Sequence, residues 1–467
     1  MVLMDKSNKK NVKAQPQNRR AFAPSAATQS RKPGLEVRVT AAKLLAAAID
    51  RKISLDGMLD PINGNPAYRA LSDADRGLAR AMVTTALRHL PRLEAAIASL
   101  LDTPLPEGAR TLQHVFIIAA AQILHLDVPV HAAVDLAVEQ ADRDPRTRRF
   151  AKLVNAVLRR LVREKDEVLA QTATVSPVPD WFKQRLVSAY GEAEAERIAE
   201  AQLVQPAIDL TVKSDPELWA KRLGASILPT GSLRLPSFQG SITELEGYDE
   251  GAWWVQDAAS SIPPKLFGDL KGKRIADLCA APGGKTAQLI AAGAIVTAVE
   301  QSANRVVRLK QNLQRLQLEA DVVTGDLFEF QPAEPLDGIL LDAPCSSTGT
   351  TRRHPDVLWT KGPEDIAKLS ALQEKMLRHA LTLVKPGGVV VFSNCSLDPS
   401  EGEELVARVL ADLPDVERVP VDPKEWPGLE AAISPLGDVR TTPATLQATD
   451  VVAGGMDGFF ASVLRVR

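Results

Sequence analysis

At 467 residues the chain is long enough for two or three domains with full cores, and with only 4% aromatic residues those cores have to rest on Ala, Leu and Val. A formal net charge of −2 excludes binding a polyanion through bulk charge, so any nucleic-acid contact must come from local basic patches. No apolar run approaches the roughly 20 residues needed to cross a bilayer. The three cysteines, Cys279, Cys345 and Cys395, are too few and too far apart for a disulfide scaffold or a zinc knuckle, which implies a reducing cytoplasm.

The first 34 residues carry eight Lys/Arg against one acid, spaced by Asn, Gln, Ser and Pro, and residues 1–35 read as a disordered basic tail. A signal peptide is disfavoured because the apolar middle is missing. Residues 36–166 read as all-helical, with turn signals near Asn63-Gly64, Asp102 to Gly108 and Asp144-Pro145. In the last of these helices Phe150, Leu153, Val154, Val157, Leu158 and Leu161 make one apolar stripe. Arg148, Arg149, Lys152, Arg159, Arg160 and Arg163 cover much of the remaining surface. Eight Lys/Arg between Arg146 and Lys165 turn this face toward RNA phosphates, an ordinary solvated face being the plain alternative.

Residues 167–265 change character, with Pro177, Pro179-Asp-Trp181, a helical run to about Ala201 and short apolar strands around 208–212. They predict a small α/β linking subdomain, closed by Gln256-Asp-Ala-Ala-Ser260. From 266 to 467 strands and helices alternate, with strands expected at 274–278, 294–300, 320–324, 338–342, 388–393 and 459–466. A helix is expected over 363–384, with Pro363 at its first turn, Glu364 and Asp365 after it, and Lys385-Pro-Gly-Gly388 as its stop. Near-continuous apolar strands alternating with helices indicate a parallel sheet covered on both faces, whose ligands bind at the carboxyl ends of the strands.

The first strand runs into Asp277-Leu-Cys-Ala-Ala-Pro-Gly-Gly-Lys-Thr286, a sharp turn into a helix that places free backbone N–H groups beside a ligand. A Walker loop would need glycine where Cys279 stands, and the G-x-G-x-x-G dinucleotide fingerprint is absent. A nucleoside cofactor bound without a phosphate cradle remains, and S-adenosyl-L-methionine fits that description. Glu300 closes the second strand 23 positions after Asp277, where an acid suits the ribose hydroxyls. Asp326, after the third strand, is placed to accept an adenine amino group.

Asp342-Ala-Pro-Cys345-Ser-Ser-Thr-Gly349 ends the fourth strand. Amine methyltransferases carry Asn/Asp-Pro-Pro-aromatic here, so Ala-Pro-Cys points away from an amine acceptor. A pyrimidine C5 becomes nucleophilic only after addition at C6, and a thiolate, with a pKa of about 8.5 that a positive environment lowers, suits that addition. Cys395, in Ser393-Asn-Cys-Ser396 at the end of the fifth strand, is a second thiol facing the same crevice. For either cysteine alone the plain alternative is a small buried hydrophobe. Lys285 is placed to steady Asp342 or the target base, a solvated helix-start lysine being the plain alternative, and His354 reads as an ordinary loop histidine rather than an RNA contact. No His/Cys/Asp cluster has metal-ligand spacing, so no metal is expected.

These motifs, together with Arg352-Arg-His-Pro-Asp-Val-Leu-Trp359 and Asp457-Gly-Phe-Phe460, resemble those of the NOL/NOP/Sun family of RNA cytosine-5 methyltransferases. The helical region resembles the NusB-like domain carried by one bacterial branch of that family. The resemblance covers nearly everything after residue 35. It implies an all-α NusB-like domain (36–166), a small α/β linking subdomain (167–265) and an α/β Rossmann-like methyltransferase domain (266–467). It further implies S-adenosyl-L-methionine as cofactor and a cytosine of 16S ribosomal RNA, or of a small-subunit assembly intermediate, as target. A monomer acting without membrane or metal is expected. By the same resemblance Cys279, Ala280, Ala281, Pro282, Gly283, Gly284 and Lys285 form the cofactor loop, and Glu300, Asp326 and Asp342 contact cofactor or base. Cys395 matches the nucleophile and Cys345 the cysteine that assists release. Asn394 and Ser347 depart from the family, which usually has Thr and Gly there. A tRNA cytosine, or a non-catalytic NusB-like RNA-binding role, are the alternatives.

Overall fold

The computed structural model describes residues 32–60, 62–236, 240–449 and 452–467. The basic tail expected over residues 1–35 lies outside the described residues as far as position 31, and Leu35 already opens the first helix.

The N-terminal part is helical. Its axis is the helix Arg110–His125, in which every residue from His114 to Leu124 is buried. A helix apolar all round has to sit inside its neighbours, and here Leu35–Arg51, Asp73–Arg88, Leu90–Ser99, Val130–Arg143 and Ala151–Arg163 surround it. Fully buried alanines such as Ala41, Ala47, Ala86, Ala96 and Ala120 let these backbones approach closely, which is how the core fills with few aromatic rings. The stripe expected on Ala151–Arg163 packs as Val154, Val157, Leu158 and Leu161, with Phe150 and Leu153 half-buried.

The single helical run expected up to about residue 201 is two helices, Asp180–Tyr190 and Glu192–Ala201, because Gly191 between them takes φ 77. A four-stranded antiparallel sheet follows, in spatial order Ser226–Ile227, Leu233–Arg234, Asp209–Val212, Trp253–Val255. Arg234 and Asp209 form a buried two-point ion pair in it, both bonds 2.7 Å. Asp209 also accepts the Ala258 N–H at 3.2 Å and Arg234 reaches the Ala453 carbonyl at 2.6 Å, which ties this small sheet to the segments around Asp257 and Asp457.

The C-terminal part is built on strands β1 (Arg274–Leu278), β2 (Ile295–Glu300), β3 (Asp321–Thr324), β4 (Leu336–Asp342), β5 (Val384–Asn394), β6 (Val416–Arg418), β7 (Val439–Thr441) and β8 (Phe459–Val466). Their order is β6-β8-β5-β4-β1-β2-β3, with β7 also pairing β8. β1 to β5 are parallel and β8 runs antiparallel to β5. The chain moves outward from β1 through β2 to β3, then returns to the other side of β1 as β4 and β5. The reversal leaves a crevice above the carboxyl ends of β1 and β4, where open α/β sheets bind ligands. The helix expected over 363–384 ends at Thr382, and Lys385-Pro-Gly-Gly388 lies inside β5 as an irregularity rather than after the helix. The ladder with β4 jumps there from Leu336–Val384 to Gly338–Val389. Among the described residues no helix is long and apolar enough to cross a membrane.

Candidate active site

A cavity of about 700 Å³ opens above the crevice, and its wall includes Cys279 to Pro282, Gly284, Lys285, Asp342, Cys345 and Cys395. Side chains far apart in sequence meet here because each follows a parallel strand. The loop after β1 is shaped by Cys279 at φ 79 and Gly283 at φ 103. The N–H groups of Cys279 and Ala280 both reach the Val299 carbonyl at 3.0 Å, anchoring the loop to β2. Gly283 faces away from the cavity, and a Cβ on it would stand 2.6 Å from Leu309 Cδ1. Thr286 Oγ1 donates to Asp277 Oδ2 at 2.6 Å, while Oδ1 of this buried carboxyl has no protein partner. Burial pushes the Asp277 pKa up to about 7, against the Thr286 hydrogen bond.

Glu300 and Asp326 lie beside the cavity rather than on its wall. Glu300 is buried behind the loop, accepting the Ser302 N–H at 2.9 Å and lying 3.1 Å from Arg305. Arg305 itself lines the cavity and holds the Ala281 carbonyl at 2.5 Å. Asp326 follows β3, two strands out from β1, and accepts the Phe328 N–H at 3.0 Å. The residues are compatible with a nucleoside-type cofactor: a tight turn on the cavity wall, an unpartnered buried carboxyl oxygen and an acid at the end of β2.

On the other side of the crevice, Lys285 Nζ donates to Asp342 Oδ2 at 2.6 Å and to Ser260 Oγ at 2.9 Å, and it lies 4.9 Å from the Phe459 ring centroid. Ser393 Oγ donates to the second oxygen of Asp342 at 3.0 Å. The sulfurs of Cys345 and Cys395 are 3.4 Å apart, and both residues are half-buried. A hydrogen bond from the Cys345 thiol lowers the Cys395 pKa below the ordinary thiol value despite burial, with Lys285 adding to the effect. The same bond, with burial, raises Cys345 well above it. Cys395 is thus the thiol inclined to ionise.

Glu401, fully buried, ties the two cysteine turns together. It accepts the Ser346 N–H at 3.0 Å, Ser346 Oγ at 2.5 Å and Gln373 Nε2 at 2.8 Å. The Asn394 amide donates to the Glu401 carbonyl at 2.7 Å and accepts the Ser396 N–H at 3.0 Å, so this departure from the family fixes the turn on both sides of Cys395. Ser347 takes φ 59, a left-handed conformation in which glycine is at ease, so the serine is strained but tolerated.

Three groups of site residues carry no role that the sequence alone assigns. Arg353, Asp257 and Asp457 form a buried cluster on the wall. Their segments carry motifs, but no spacing shows that they meet. Ser54 and Asp56, from the helical part, also line the cavity. Leu55 N and Ser54 Oγ donate to Asp356 at 2.9 and 3.2 Å, and Asp56 lies 3.3 Å from His354. The Asp56 hydrogen bond raises the His354 pKa against burial, making it more than an ordinary loop histidine. Glu401 is the third, hidden because an acid in a helix-opening sequence reads as solvated. Among the described residues no cluster could hold a metal ion.

The chain matches the family model described as 16S rRNA methyltransferase RsmB/F over residues 268–465, and that of the NusB family over residues 35–163. It is 34% identical over 417 residues to a ribosomal RNA small subunit methyltransferase B of Serratia proteamaculans, covering 85% of this chain and 95% of that protein. A protein of the same name from Vibrio vulnificus is 34% identical over 84% of this chain and 95% of its own length. The crystal structure of a methyltransferase homolog protein from Pyrococcus horikoshii, 28% identical, superposes with a TM-score of 0.50, covering 61% of this chain and 94% of that one. With a NusB helical domain, a methyltransferase sheet and this likeness over most of its length, the chain belongs to the 16S rRNA methyltransferase RsmB/F family.

Proposed function

We propose that the protein transfers a methyl group from S-adenosyl-L-methionine to C5 of a cytosine in 16S ribosomal RNA through a temporary bond between Cys395 and C6. The single observation that carries this reading is the pair of sulfurs 3.4 Å apart at the carboxyl ends of β4 and β5, beside an aspartate held by a lysine. The substrate class rests on the family and on relatives named as ribosomal RNA small subunit methyltransferases. In this reading residues 36–166 dock RNA, 167–265 link, and 266–467 carry the chemistry.

The bound cofactor supplies an electrophilic methyl group; the rest falls to this chain's residues. Cys279 to Lys285 would hold the cofactor, with Glu300 and Asp326 as the acids for its ribose and adenine. The target base leaves its stack to enter the cavity, since C6 is out of reach within a helix. Cys395, its pKa lowered by the Cys345 hydrogen bond, adds to C6. Asp342 stands at the N3 edge of the base, and Lys285 beside it offsets the negative charge moving onto the ring. C5 then takes the methyl group, and loss of its proton expels Cys395, with the Cys345 S–H stabilising the departing sulfur. Bisulfite sequencing of total RNA from cells with and without the gene tests the substrate: loss of one methylated cytosine in 16S rRNA is expected, and loss confined to a tRNA would transfer the same chemistry to that molecule.

A further inference from the structure

The reaction just described needs a group that takes the proton from C5, and neither cysteine suits the task. Cys345 is held as a donor to Cys395, its thiol raised by that bond and by burial, so it leaves little thiolate to act as a base. Asp342 has both oxygens engaged, by Lys285 and Ser393.

Asp457 lines the same cavity as Cys395 and Cys345. It sits just before β8, whose Phe460 pairs with Asn394, the residue before the nucleophile. The Gly458 N–H reaches the Gly349 carbonyl at 2.8 Å, and the Gly349 N–H reaches the Cys395 carbonyl at 2.9 Å, so Asp457 is fastened to the nucleophile's turn by two backbone bonds. Cys395 packs against the apolar cluster that includes Met456 and Phe459, the residues on either side of the Asp457-Gly458 step. Asp457 is 5% exposed; Oδ2 accepts Arg353 Nε at 3.2 Å, and Oδ1 is buried with no hydrogen-bond partner.

Asp457 shares its guanidinium with a second carboxylate. Asp257 accepts Arg353 Nη2 at 2.5 Å and the N–H groups of Ala259 and Asp457 at 2.9 and 3.0 Å. Burial raises Asp257, but these three bonds more than offset it, and it stays ionised. Asp457 is pushed the other way, up to about 7, by burial and by Asp257, against Arg353, Arg352 and His354. Two adjacent carboxyls with separated proton affinities are the mark of a divided acid–base role, and a base whose pKa lies near the working pH is the most effective one.

We propose that Asp457 is the base that removes the C5 proton, with Asp257 and Arg353 as the residues that position it. This rests on the cytosine-C5 reading above. After methyl transfer C5 carries both CH3 and H, and C6 carries the Cys395 sulfur. An Asp457 oxygen takes the proton; the C5–H electron pair forms the C5–C6 double bond; the C6–S bond breaks and Cys395 leaves as a thiolate. Protonated Asp457 then returns its proton to solvent.

The test uses the full-length protein, S-adenosyl-L-methionine with a labelled methyl group, and unmodified 16S rRNA carrying tritium at cytosine C5. Asp457→Asn is expected to complete one methyl transfer at close to the wild-type rate, then to stall as a denaturation-resistant protein–RNA complex that keeps both methyl and tritium. Turnover should fall about 10²–10⁴-fold, and Asp457→Glu should recover part of it. Wild-type tritium release should rise with pH through about 7 and level off, a measurement that stands even where the variant does not fold. Tritium release that is flat between pH 6 and 8.5, or an Asp457→Asn protein that turns over normally or loses the first methyl transfer, would overturn the assignment to Asp457 alone. Methylated RNA without any covalent complex, in wild type and variants alike, would instead remove the cysteine-adduct reading, and this step with it.

Discussion

The sulfurs of Cys345 and Cys395 stand 3.4 Å apart, and the hydrogen bond donated by Cys345 along that line lowers the Cys395 pKa while it raises that of Cys345. Cys345→Ala removes that donor, and the alkylation of Cys395 by iodoacetamide should move its pH midpoint upward. The same variant should accumulate RNA bound through Cys395, while Cys395→Ala should show neither transfer nor complex. A trapped complex with Cys395→Ala instead would exchange the two roles.

Lys285 is the cation that holds Asp342, and its side chain is only 11% exposed. Lys285→Met keeps the bulk against Phe459 but removes the charge that offsets the ring. The methyl-transfer rate in single turnover should fall about 10²–10³-fold, the loss typical of one electrostatic contact to a charge-developing atom. An unchanged rate would confine Lys285 to a structural role.

Glu401 accepts Ser346 N–H and Gln373 Nε2 in a fully buried position. Glu401→Ala leaves the buried Ser346 N–H without a partner and Gln373 Nε2 with the Pro344 carbonyl alone, and should destabilise the catalytic sheet by about 1–3 kcal/mol, the cost of one orphaned buried group. Thermal unfolding followed by tryptophan fluorescence measures it, and an unchanged midpoint would mean that the two cysteine turns hold without it.

The pair of Asp56 and His354 joins the helical part to the catalytic part and is sensitive to pH. The histidine pKa is raised chiefly by the Asp56 hydrogen bond, against burial and with help from Asp56, Asp356 and Asp457 as neighbouring charges. Asp56 is lowered chiefly by His354, with Arg80 and Arg308 adding to it. The stability from the histidine is therefore full below about 6.5, the unfolded value, and is lost as pH rises through the higher folded value. At the acid end it is lost as pH falls through the lowered Asp56 value. Urea midpoints of wild type and His354→Gln should differ at pH 6 and converge by pH 9; a constant difference would show that the charge plays no part.

The basic helix Ala151–Arg163 is less uniformly available than its composition suggests. Arg160 and Arg163 are paired with Glu164, whereas Lys152 and Arg159 are exposed, Arg159 donating to the Asn155 amide oxygen. Replacing Lys152 and Arg159 with Gln should weaken rRNA binding and flatten its salt dependence by about 0.7–0.9 for each phosphate no longer neutralised. Replacing Arg160 should change it little. Equal effects from all three would assign the face no defined docking geometry.

The order of amino acids alone settles the parallel strands and what stands at their ends, because strand periodicity and the loop from Asp277 to Thr286 are local patterns. It also puts two cysteines, Asp342 and Lys285 in one crevice, since residues following parallel strands collect on one edge of the sheet. Which thiol gives up its proton is decided only in three dimensions, for that depends on a 3.4 Å contact across 50 residues of chain. The meeting of Asp257, Arg353 and Asp457, and the entry of Asp56 into the cavity wall, were likewise beyond the sequence. Those contacts are set by how a long loop and a separate helical domain pack, and a burial-driven shift in proton affinity has no trace in residue spacing.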